Sequence, residues 1–519
     1  MLYADSLSGL LRRSGMEYGD LAAIRCGGKD WSYRAVDGMA DRVAGALVRD
    51  AGVGNGDRVG LYCINSPYFV AAYFGIIRAG GIVVPINLLL HPDEIVYILQ
   101  DAGAEVMIYH EAMEPQMVQV RERMGAALRT SWVAGEQMGG ADASLDVVLD
   151  RVTAPVEDPE VDPAQDVAVI IYTSGTTGRA KGAMLTHRNL LSNVESVVEA
   201  FPMGVGDRII TVLPMFHAFA ATACLLSGLR SGATVVAVPR FLPDELSGVI
   251  EREQGTIFMG VPSMYGVLAN LPTDRAADFS SLRFCVSGGA AMPVEVMKRF
   301  EARFGVLIYE GDGPTECSPV TSVNPIDGIR KAGSIGLPVG GVEMRIVDDS
   351  GDELPDGEVG EIVVRGANVM KGYWNMPEAT AESFWGEWFR TGDLGHRDTD
   401  GYFYIVDRKK DMIIVNGMNV YPRQIEEVLY RHPAILECAV VSDPDPLHGE
   451  VPKAFYVIRP GMEVEDRELR RWCIEHLGRH QVPRRWQRLD QLPKNATGKI
   501  VKRELTRRGE VERGLRTED

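Results

Sequence analysis

The stretch "YTSGTTGRAKGAMLTHRNL", Tyr172 to Leu190, combines glycine, serine and threonine with an isolated lysine, Lys181. Directly before it, Val167 to Ile171 form a short apolar run rich in β-branched residues, which is typical of a buried strand. After it, apolar residues recur at helical spacing from Leu190 to Val198. The sequence therefore predicts a strand, a glycine-rich loop and a helix, an arrangement whose backbone N–H groups and helix N-terminus bind phosphate.

The lysine of this stretch does not stand where a Walker loop would place it. That loop has the pattern G-x-x-x-x-G-K-[ST], whereas Lys181 follows Arg179 and Ala180 and precedes Gly182. We therefore do not expect a standard P-loop kinase or ATPase. Clusters of glycine, serine and threonine also form ordinary surface loops, so on these residues alone phosphate binding and a flexible loop remain alternatives.

Composition restricts the class of protein. A chain of 519 residues exceeds one ordinary core, so we expect two or more domains. With 54 basic and 72 acidic residues the net charge is −18, which argues against nucleic acid as the main partner. The seven cysteines are scattered without a C-x-x-C pair, which indicates a reducing cytoplasm and neither a disulfide framework nor a zinc site.

Two uncharged stretches could be mistaken for membrane spans. Val59 to Ile77 is interrupted by the turn signal Asn65-Ser66-Pro67, and Ile209 to Leu229 contains Pro214 and His217 among small residues. We expect both to be buried in the protein and no transmembrane span. The N-terminus also lacks the apolar core of a signal peptide. Peripheral membrane contact and homo-oligomerisation stay open.

The pattern of elements predicts an α/β fold. Up to about residue 330, short apolar strands alternate with helical patterns, which favours mainly parallel sheets flanked by helices. From Val342 the chain reads as strand, polar turn and strand, an antiparallel β-rich subdomain. A helix at Tyr421 to Arg431 begins a small α/β unit. We therefore predict a large domain, 1–407, and a small mobile domain, 408–519.

Five motifs occur in order along the chain: "YTSGTTGRAKG", "EGDGPTE" (Glu310–Glu316), "RTGDLG" (Arg390–Gly395), "YFYIVDRKKD" (Tyr402–Asp411) and "PKNATGK" (Pro493–Lys499). Together they resemble the adenylate-forming acyl-CoA synthetase superfamily. Within it, the segment "DRKKDMIIVNGMNVYPRQIEEVLYRHP" is most similar to bacterial medium- and long-chain fatty acyl-CoA ligases.

The resemblance implies a reaction that needs no general base. A fatty acid carboxylate, already ionised at pH 7, attacks the α-phosphate of ATP, and the acyl-adenylate then acylates coenzyme A. The charge that develops calls for Mg²⁺, lysines and backbone donors. Accordingly, the chain lacks a G-x-S-x-G elbow and an H-E-x-x-H helix.

The resemblance also implies roles for individual residues. The metal ligand is Glu316, and the catalytic set is Lys499, Glu316, Thr315 and His217. The residues implied in ATP binding are Thr173, Ser174, Gly175, Thr176, Thr177, Gly178, Lys181, Gly289, Ala290, Gly311, Asp312, Gly313, Thr315, Asp393 and Arg408. The acyl group is assigned to His217, Met259, Gly288 and Gly289, coenzyme A to Asn416, Gly417 and Met418, and the hinge between the domains to Lys410.

One position departs from the superfamily pattern. Members often carry an aromatic ring for stacking on adenine where this chain has Asp312. An aspartate cannot stack, although it can accept a hydrogen bond from the adenine amino group. The alternatives to a fatty acid–CoA ligase are a CoA ligase for an aromatic or other acid, acyl transfer to a carrier protein, and a non-enzymatic nucleotide or acyl-CoA sensor.

Overall fold

The computed structural model describes residues 2–135, 143–152, 156–173, 179–272, 277–496 and 498–508, and its elements are numbered here in chain order. The helices are α1 Leu7–Tyr18, α2 Tyr33–Asp50, α3 Pro67–Arg78, α4 Pro92–Ala102, α5 Glu114–Met124, α6 Leu145–Leu149, α7 His187–Ala200, α8 Ser227–Ser231, α9 Pro243–Arg252, α10 Pro262–Ala269, α11 Val294–Phe304, α12 Pro377–Glu382, α13 Pro422–Tyr430 and α14 Asp466–His476.

Two large sheets, sheet I and sheet II, are parallel in their central strands. In spatial order, sheet I contains β16 Leu337–Pro338, β15 Ser322–Val323, β14 Ile308–Asp312, β13 Phe284–Ser287, β12 Ile257–Gly260, β10 Arg208–Thr211, β11 Thr234–Ala237, β1 Ala22–Cys26 and β2 Lys29–Ser32. Sheet II contains β19 Gly372–Tyr373, β9 Lys181–Thr186, β8 Val167–Thr173, β4 Ile82–Pro85, β3 Arg58–Tyr62, β5 Val106–His110, β6 Thr130–Ala134 and β7 Ala143–Ser144. One hydrophobic core extends across both sheets.

Two smaller sheets, sheet III and sheet IV, follow in the chain. The antiparallel sheet III contains β17 Val342–Val347, β18 Gly360–Gly366, β21 Trp388–Arg397 and β20 Phe384–Trp385, with β22 Phe403–Arg408 paired to β21. Sheet IV contains β24 Met418–Val420, β23 Ile413–Val415, β26 Gly449–Ile458 and β25 Ile435–Asp445, with β27 Arg485–Arg488 paired to β26. Sheet IV packs on α13 and α14 around a hydrophobic cluster of its own. The predicted α/β class is confirmed, and the boundary at residue 407 stays a prediction.

The helix predicted from Leu190 to Val198 is confirmed as part of α7, but the run Lys181–Thr186 before it is a strand that the sequence analysis did not predict. The loop joins β8 to β9 in an antiparallel hairpin in which Thr173 pairs with Lys181. The short run that follows the loop pairs with β8 instead of starting a helix. Helix α7 begins only at the far end of β9, where Thr186 and Asn189 form a capping box. Six strand residues, roughly 20 Å, separate the loop from this helix N-terminus, so the predicted arrangement in which the two act together on a phosphate does not form.

Both stretches that resembled membrane spans are internal structure. Val59 to Ile77 falls on β3 and α3, and Ile209 to Leu229 falls on β10, a buried π-helical segment at Ala220–Leu226, and α8. Over the described ranges, no helix has both the length and the apolar character required to cross a bilayer.

A buried arginine ties the first three helices together. Arg78, at the end of α3, has no exposed surface. Its Nη2 lies 2.6 Å from Asp37 Oδ1 and its Nη1 lies 2.7 Å from Asp41 Oδ1, both on α2. Its Nε donates to Ser8 Oγ of α1 at 3.1 Å. Because a buried charge is stable only when it is paired, these bonds fix how the three helices pack beside sheets I and II.

We predict that Arg78→Met lowers the free energy of unfolding by about 3–5 kcal/mol, because it removes the cation beside Asp37 and leaves Asp41 with Arg12, 2.9 Å away, in place of two cations. Arg34→Met is the matched control, since Arg34 is 72% exposed and lies 3.6 Å from the exposed Asp20. Urea unfolding of both variants measures the difference. Equal midpoints for the two variants would contradict the role of Arg78.

Candidate active site

Four residues meet where sheet I approaches the hairpin of sheet II. Glu316 lies in a short 3₁₀ turn, Thr315–Cys317, which follows β14. Its Oε1 accepts hydrogen bonds from Tyr373 Oη at 2.9 Å and from Thr173 Oγ1 at 3.4 Å. Lys181 Nζ lies 5.0 Å from the centroid of the Tyr373 ring. The structure thus brings the predicted phosphate lysine and the predicted metal ligand to the same tyrosine.

Tyr373 was missed by the sequence analysis. It belongs to β19, whose pairing with β9 places Tyr373 opposite Ala183, two residues beyond Lys181. Burial and the Glu316 carboxylate raise the pKa of the Tyr373 hydroxyl, so it remains a donor at neutral pH. The sequence around it, "KGYW", gives only a local signal for a turn and a strand, and does not indicate contact with a residue 57 positions earlier.

A second group of residues forms at the edge of sheet III. Asp393 on β21 and Arg408 on β22 are paired neighbours, and Arg408 Nε lies 3.3 Å from Asp393 Oδ1. Asp393 is 7% exposed. Burial raises its pKa, while Arg408 and Lys499 act against that rise. The Asp393 backbone N–H also donates to Thr391 Oγ1 at 3.0 Å, which fixes the strand at this point.

Asp312 joins this group from the end of β14. Burial and the Asp393 carboxylate raise the pKa of Asp312 to about 6, and Arg408 and Lys499 act in the opposite direction. The next residue, Gly313, has no room for a side chain, because a Cβ there would lie 2.0 Å from the Pro319 carbonyl oxygen. Strand β14 and the 3₁₀ turn that follows it therefore bring Asp312, Thr315 and Glu316 close together in the chain's fold.

Lys499 reaches this group from the C-terminal end of the chain. Removal from water and the Arg408 cation lower its pKa to about 8, while Asp393 and Asp312 act to raise it. Its turn is closed by two bonds at 2.9 Å, from the Asn495 N–H to the Lys499 carbonyl and from the Lys499 N–H to Asn495 Oδ1. Two cations and two carboxylates, from four different elements, thus form one charge cluster: Lys499, Arg408, Asp393 and Asp312.

His217 lies next to this charge cluster. Removal from water lowers its pKa to about 4, and the Lys499 cation acts in the same direction, so the imidazole is neutral at pH 7. Its Nδ1 accepts the Phe219 N–H at 3.3 Å. The proton of the neutral ring is then on Nε2, which makes that atom a hydrogen-bond donor.

The other residues predicted to contact an acyl group lie on β12 and on the loop after β13. Met259 on β12 is fully buried. At Gly288, after β13, a Cβ would lie 3.2 Å from the Phe219 ring, so the ring packs closely on the backbone there. Gly289 adopts φ +76°, and Ala290 follows at the half-buried end of this loop. Gly311 lies on β14, and a Cβ there would lie 2.8 Å from the Ser322 carbonyl oxygen.

The structure leaves other predicted residues apart from the charge cluster. Asn416, Gly417 and Met418 form an exposed hairpin turn between β23 and β24, with φ +51° at Asn416 and +77° at Gly417. Lys410 is an exception: it is exposed just after β22, and its cation acts to lower the pKa of Asp393 in the cluster. The predicted phosphate residues Ser174, Gly175, Thr176, Thr177 and Gly178 lie outside the described residues.

The chain matches two family models and is similar to several known proteins. The AMP-binding enzyme family matches residues 11–374, and the AMP-binding enzyme C-terminal domain matches residues 424–499. A long-chain-fatty-acid–CoA ligase of Bacillus subtilis (strain 168) is 36% identical, over 96% of this chain and 94% of the relative. A feruloyl-CoA synthase of an Amycolatopsis species is 39% identical, over 94% of this chain and 95% of the relative.

A solved structure agrees with this result. The crystal structure of an anthranilate CoA ligase in complex with anthranoyl-AMP matches with a TM-score of 0.92 and 30% identity, over 99% of this chain and 98% of that chain. The two family matches include the elements that carry Glu316, Tyr373 and Lys499. The chain therefore belongs to the AMP-binding enzyme family, the adenylate-forming superfamily that its motifs resemble.

Proposed function

We propose that this protein is an ATP-dependent ligase that activates a medium- to long-chain fatty acid as acyl-adenylate and transfers it to coenzyme A. The observation that carries the proposal is the charge cluster: Lys499, from the C-terminal turn, lies among Asp393, Arg408 and Asp312 beside the neutral His217. A cation brought to this point by a separate domain suits a reaction in which an anionic acid meets a nucleotide phosphate.

The first step joins the acid to AMP. A carboxylate oxygen attacks the α-phosphorus of ATP, an O–P bond forms, and the bond from the α-phosphorus to the bridging oxygen breaks, so that pyrophosphate leaves with the electron pair. Lys499 donates to the acid carboxylate and the α-phosphate, and His217 donates from Nε2 to the carboxylate. Thr315 contacts the α-phosphate, Lys181 contacts the outer phosphates, and Asp393 with Arg408 holds the ribose.

The residues around Glu316 fit a magnesium ion bound together with the phosphates. Across the described residues, no three His, Cys, Asp or Glu side chains cluster as a complete metal site. Mg²⁺ commonly takes one or two protein carboxylates and completes its shell with phosphate oxygens and water. Glu316, with its Oε1 held by Tyr373 and Thr173, supplies one such carboxylate. When bound, the ion would neutralise part of the phosphate charge.

The second step forms the thioester. The coenzyme A sulfur, having lost its proton to solvent, attacks the acyl carbonyl carbon, and the C–O bond to AMP breaks. We propose that the domain 408–519 rotates about Lys410 between the steps, so that Lys499 leaves and the exposed turn Asn416–Met418 arrives beside the pantetheine. In the present arrangement a Cβ at Gly417 would meet nothing within 4 Å, so no contact of this arrangement requires a glycine there.

The choice of a fatty acid rests on the apolar surface around His217. Phe216, Phe219, Met259 and Val261 are all buried and carry no charge. Each methylene buried against such a surface contributes about 0.8 kcal/mol. An aromatic acid is the second candidate, because the feruloyl-CoA synthase relative is slightly more identical to this chain than the fatty acid ligase relative.

We predict that kcat/KM rises several-fold per added carbon from acetate towards octanoate and palmitate, because each methylene buries more apolar area. Pyrophosphate release with ATP, coenzyme A and this series measures the effect, with benzoate, ferulate and coumarate included. If an aromatic acid gives a higher kcat/KM than both octanoate and palmitate, the fatty acid assignment is wrong.

We predict that Lys499→Ala slows acyl-adenylate formation by roughly a hundredfold or more, because charge stabilisation of this kind contributes a few kcal/mol. The variant should still convert supplied acyl-adenylate and coenzyme A into thioester. Gly417→Leu should do the reverse, since its Cβ meets no neighbour in the present arrangement, and the strain of a leucine at φ +77° falls on an exposed turn that carries none of the residues proposed for adenylation. Single-turnover assays of each half-reaction measure both effects, and parallel loss of both steps in Lys499→Ala would contradict the two-arrangement mechanism.

We predict that adenylation weakens as the pH rises above about 8. The ammonium form of Lys499 is the stabilising one, and its lowered pKa of about 8 means that half of it is lost at that pH in the free enzyme. The measurement is kcat/KM for ATP in the adenylation half-reaction between pH 6.5 and 10. Lys499→Arg is the control, because arginine keeps its charge: its rate should be lower but without this alkaline decline.

A further inference from the structure

Helix α10 connects the large domain to the turn that carries Lys499. At its first turn, Ser263 Oγ donates to the Gly498 carbonyl oxygen at 2.8 Å, across 235 residues of sequence. Just beyond its end, Asn270 Oδ1 accepts from Arg459 Nη1 at 2.5 Å. Ala496, in the same turn as Lys499, packs against the core of the large domain. The helix therefore contacts the C-terminal part of the chain near both of its ends.

The contact at Ser263 is close as well as polar. Gly498 adopts φ +82°, and a Cβ there would lie 2.9 Å from Ser263 Oγ and 3.2 Å from Val261 Cγ2. A side chain at this position would thus be strained by the backbone and obstructed by α10. Glycine allows the turn to approach near enough for its carbonyl to reach the serine hydroxyl.

The peptide group that Ser263 bonds is the one that begins Lys499. The Gly498 carbonyl oxygen and the Lys499 N–H belong to a single planar unit. The oxygen is held by Ser263 at 2.8 Å, and the N–H is held by Asn495 Oδ1 at 2.9 Å. A plane fixed on both sides sets the direction in which the Lys499 side chain leaves the backbone.

We propose that Ser263 is a positioning residue that aims Lys499 at the reacting carboxylate during adenylation and is released when the C-terminal domain rotates. This inference rests on the proposed function, because it acts through Lys499. Asn495 belongs to the same turn as Lys499 and moves with it, whereas Ser263 belongs to the large domain. The Ser263 bond therefore holds the peptide group of the lysine directly to the large domain, which carries the substrate site.

The test is Ser263→Ala in the full-length protein, with octanoate and octanoyl-adenylate as probes, or ferulate and feruloyl-adenylate if ferulate proves the better acid. We expect adenylation to slow about three- to tenfold, the value of one hydrogen bond, with thioester formation from supplied adenylate unchanged. Ser281→Ala is the matched control, since Ser281 Oγ donates to the Gly255 carbonyl at 2.8 Å within the large domain. That variant should alter neither half-reaction.

A double variant separates positioning from general damage. If Ser263 acts only through the lysine, adding Ser263→Ala to Lys499→Ala should cost no further adenylation rate. A wild-type adenylation rate in Ser263→Ala, an equal loss in both half-reactions, or a full additional loss in the double variant would overturn the inference. If Lys499→Ala itself keeps the wild-type rate, the catalytic role of the lysine in the proposed function is overturned as well.

Discussion

The balance of charge around Lys499 is the constraint on which the active-site arrangement depends. Asp312 comes from sheet I, Asp393 and Arg408 from neighbouring strands of sheet III, and Lys499 from the C-terminal turn. Asp393 is buried, and Asp312 and Lys499 are partly buried, so their charges are stabilised by one another and by the more exposed Arg408. The packing of sheets I and III is thus linked to the docking of the Lys499 turn, which lies almost a hundred residues after Arg408.

The same balance limits how strongly the turn docks. Removal from water lowers the pKa of Lys499, which means that the docked ammonium is less favourable than a solvated one, and the nearby carboxylates offset that cost only in part. Among the described residues, the Ser263 bond and the Ala496 packing hold the turn, while Arg459 with Asn270 and Arg423 with Ile405 and Glu310 join the C-terminal part of the chain to the rest. Most of these contacts are polar, which suits the domain rotation proposed above.

The sequence predicted the fold class and indicated several of the residues that the structure brings together, and it failed where distant residues decide the outcome. Periodicity located β8 and α7 but not the hairpin between them, because the strand character of Lys181–Thr186 depends on its pairing with β8. The motifs indicated Glu316 and Lys499. They gave no signal for Tyr373 or Ser263, whose partners lie 57 and 235 residues away. Such contacts follow from topology, and a local pattern carries no information about them.

The role of Asp312, which departs from the superfamily pattern, depends on the charged residues around it. An aromatic ring at this position would stack on a base but would carry no charge. The aspartate lies instead among Lys499, Arg408 and Asp393, and its pKa of about 6 leaves it mostly ionised at pH 7. It therefore adds a second carboxylate to the attraction for the docked lysine, and an ionised oxygen can accept from an adenine amino group. At this position we infer that the chain has replaced stacking energy with charge, which strengthens docking in the arrangement that forms the adenylate.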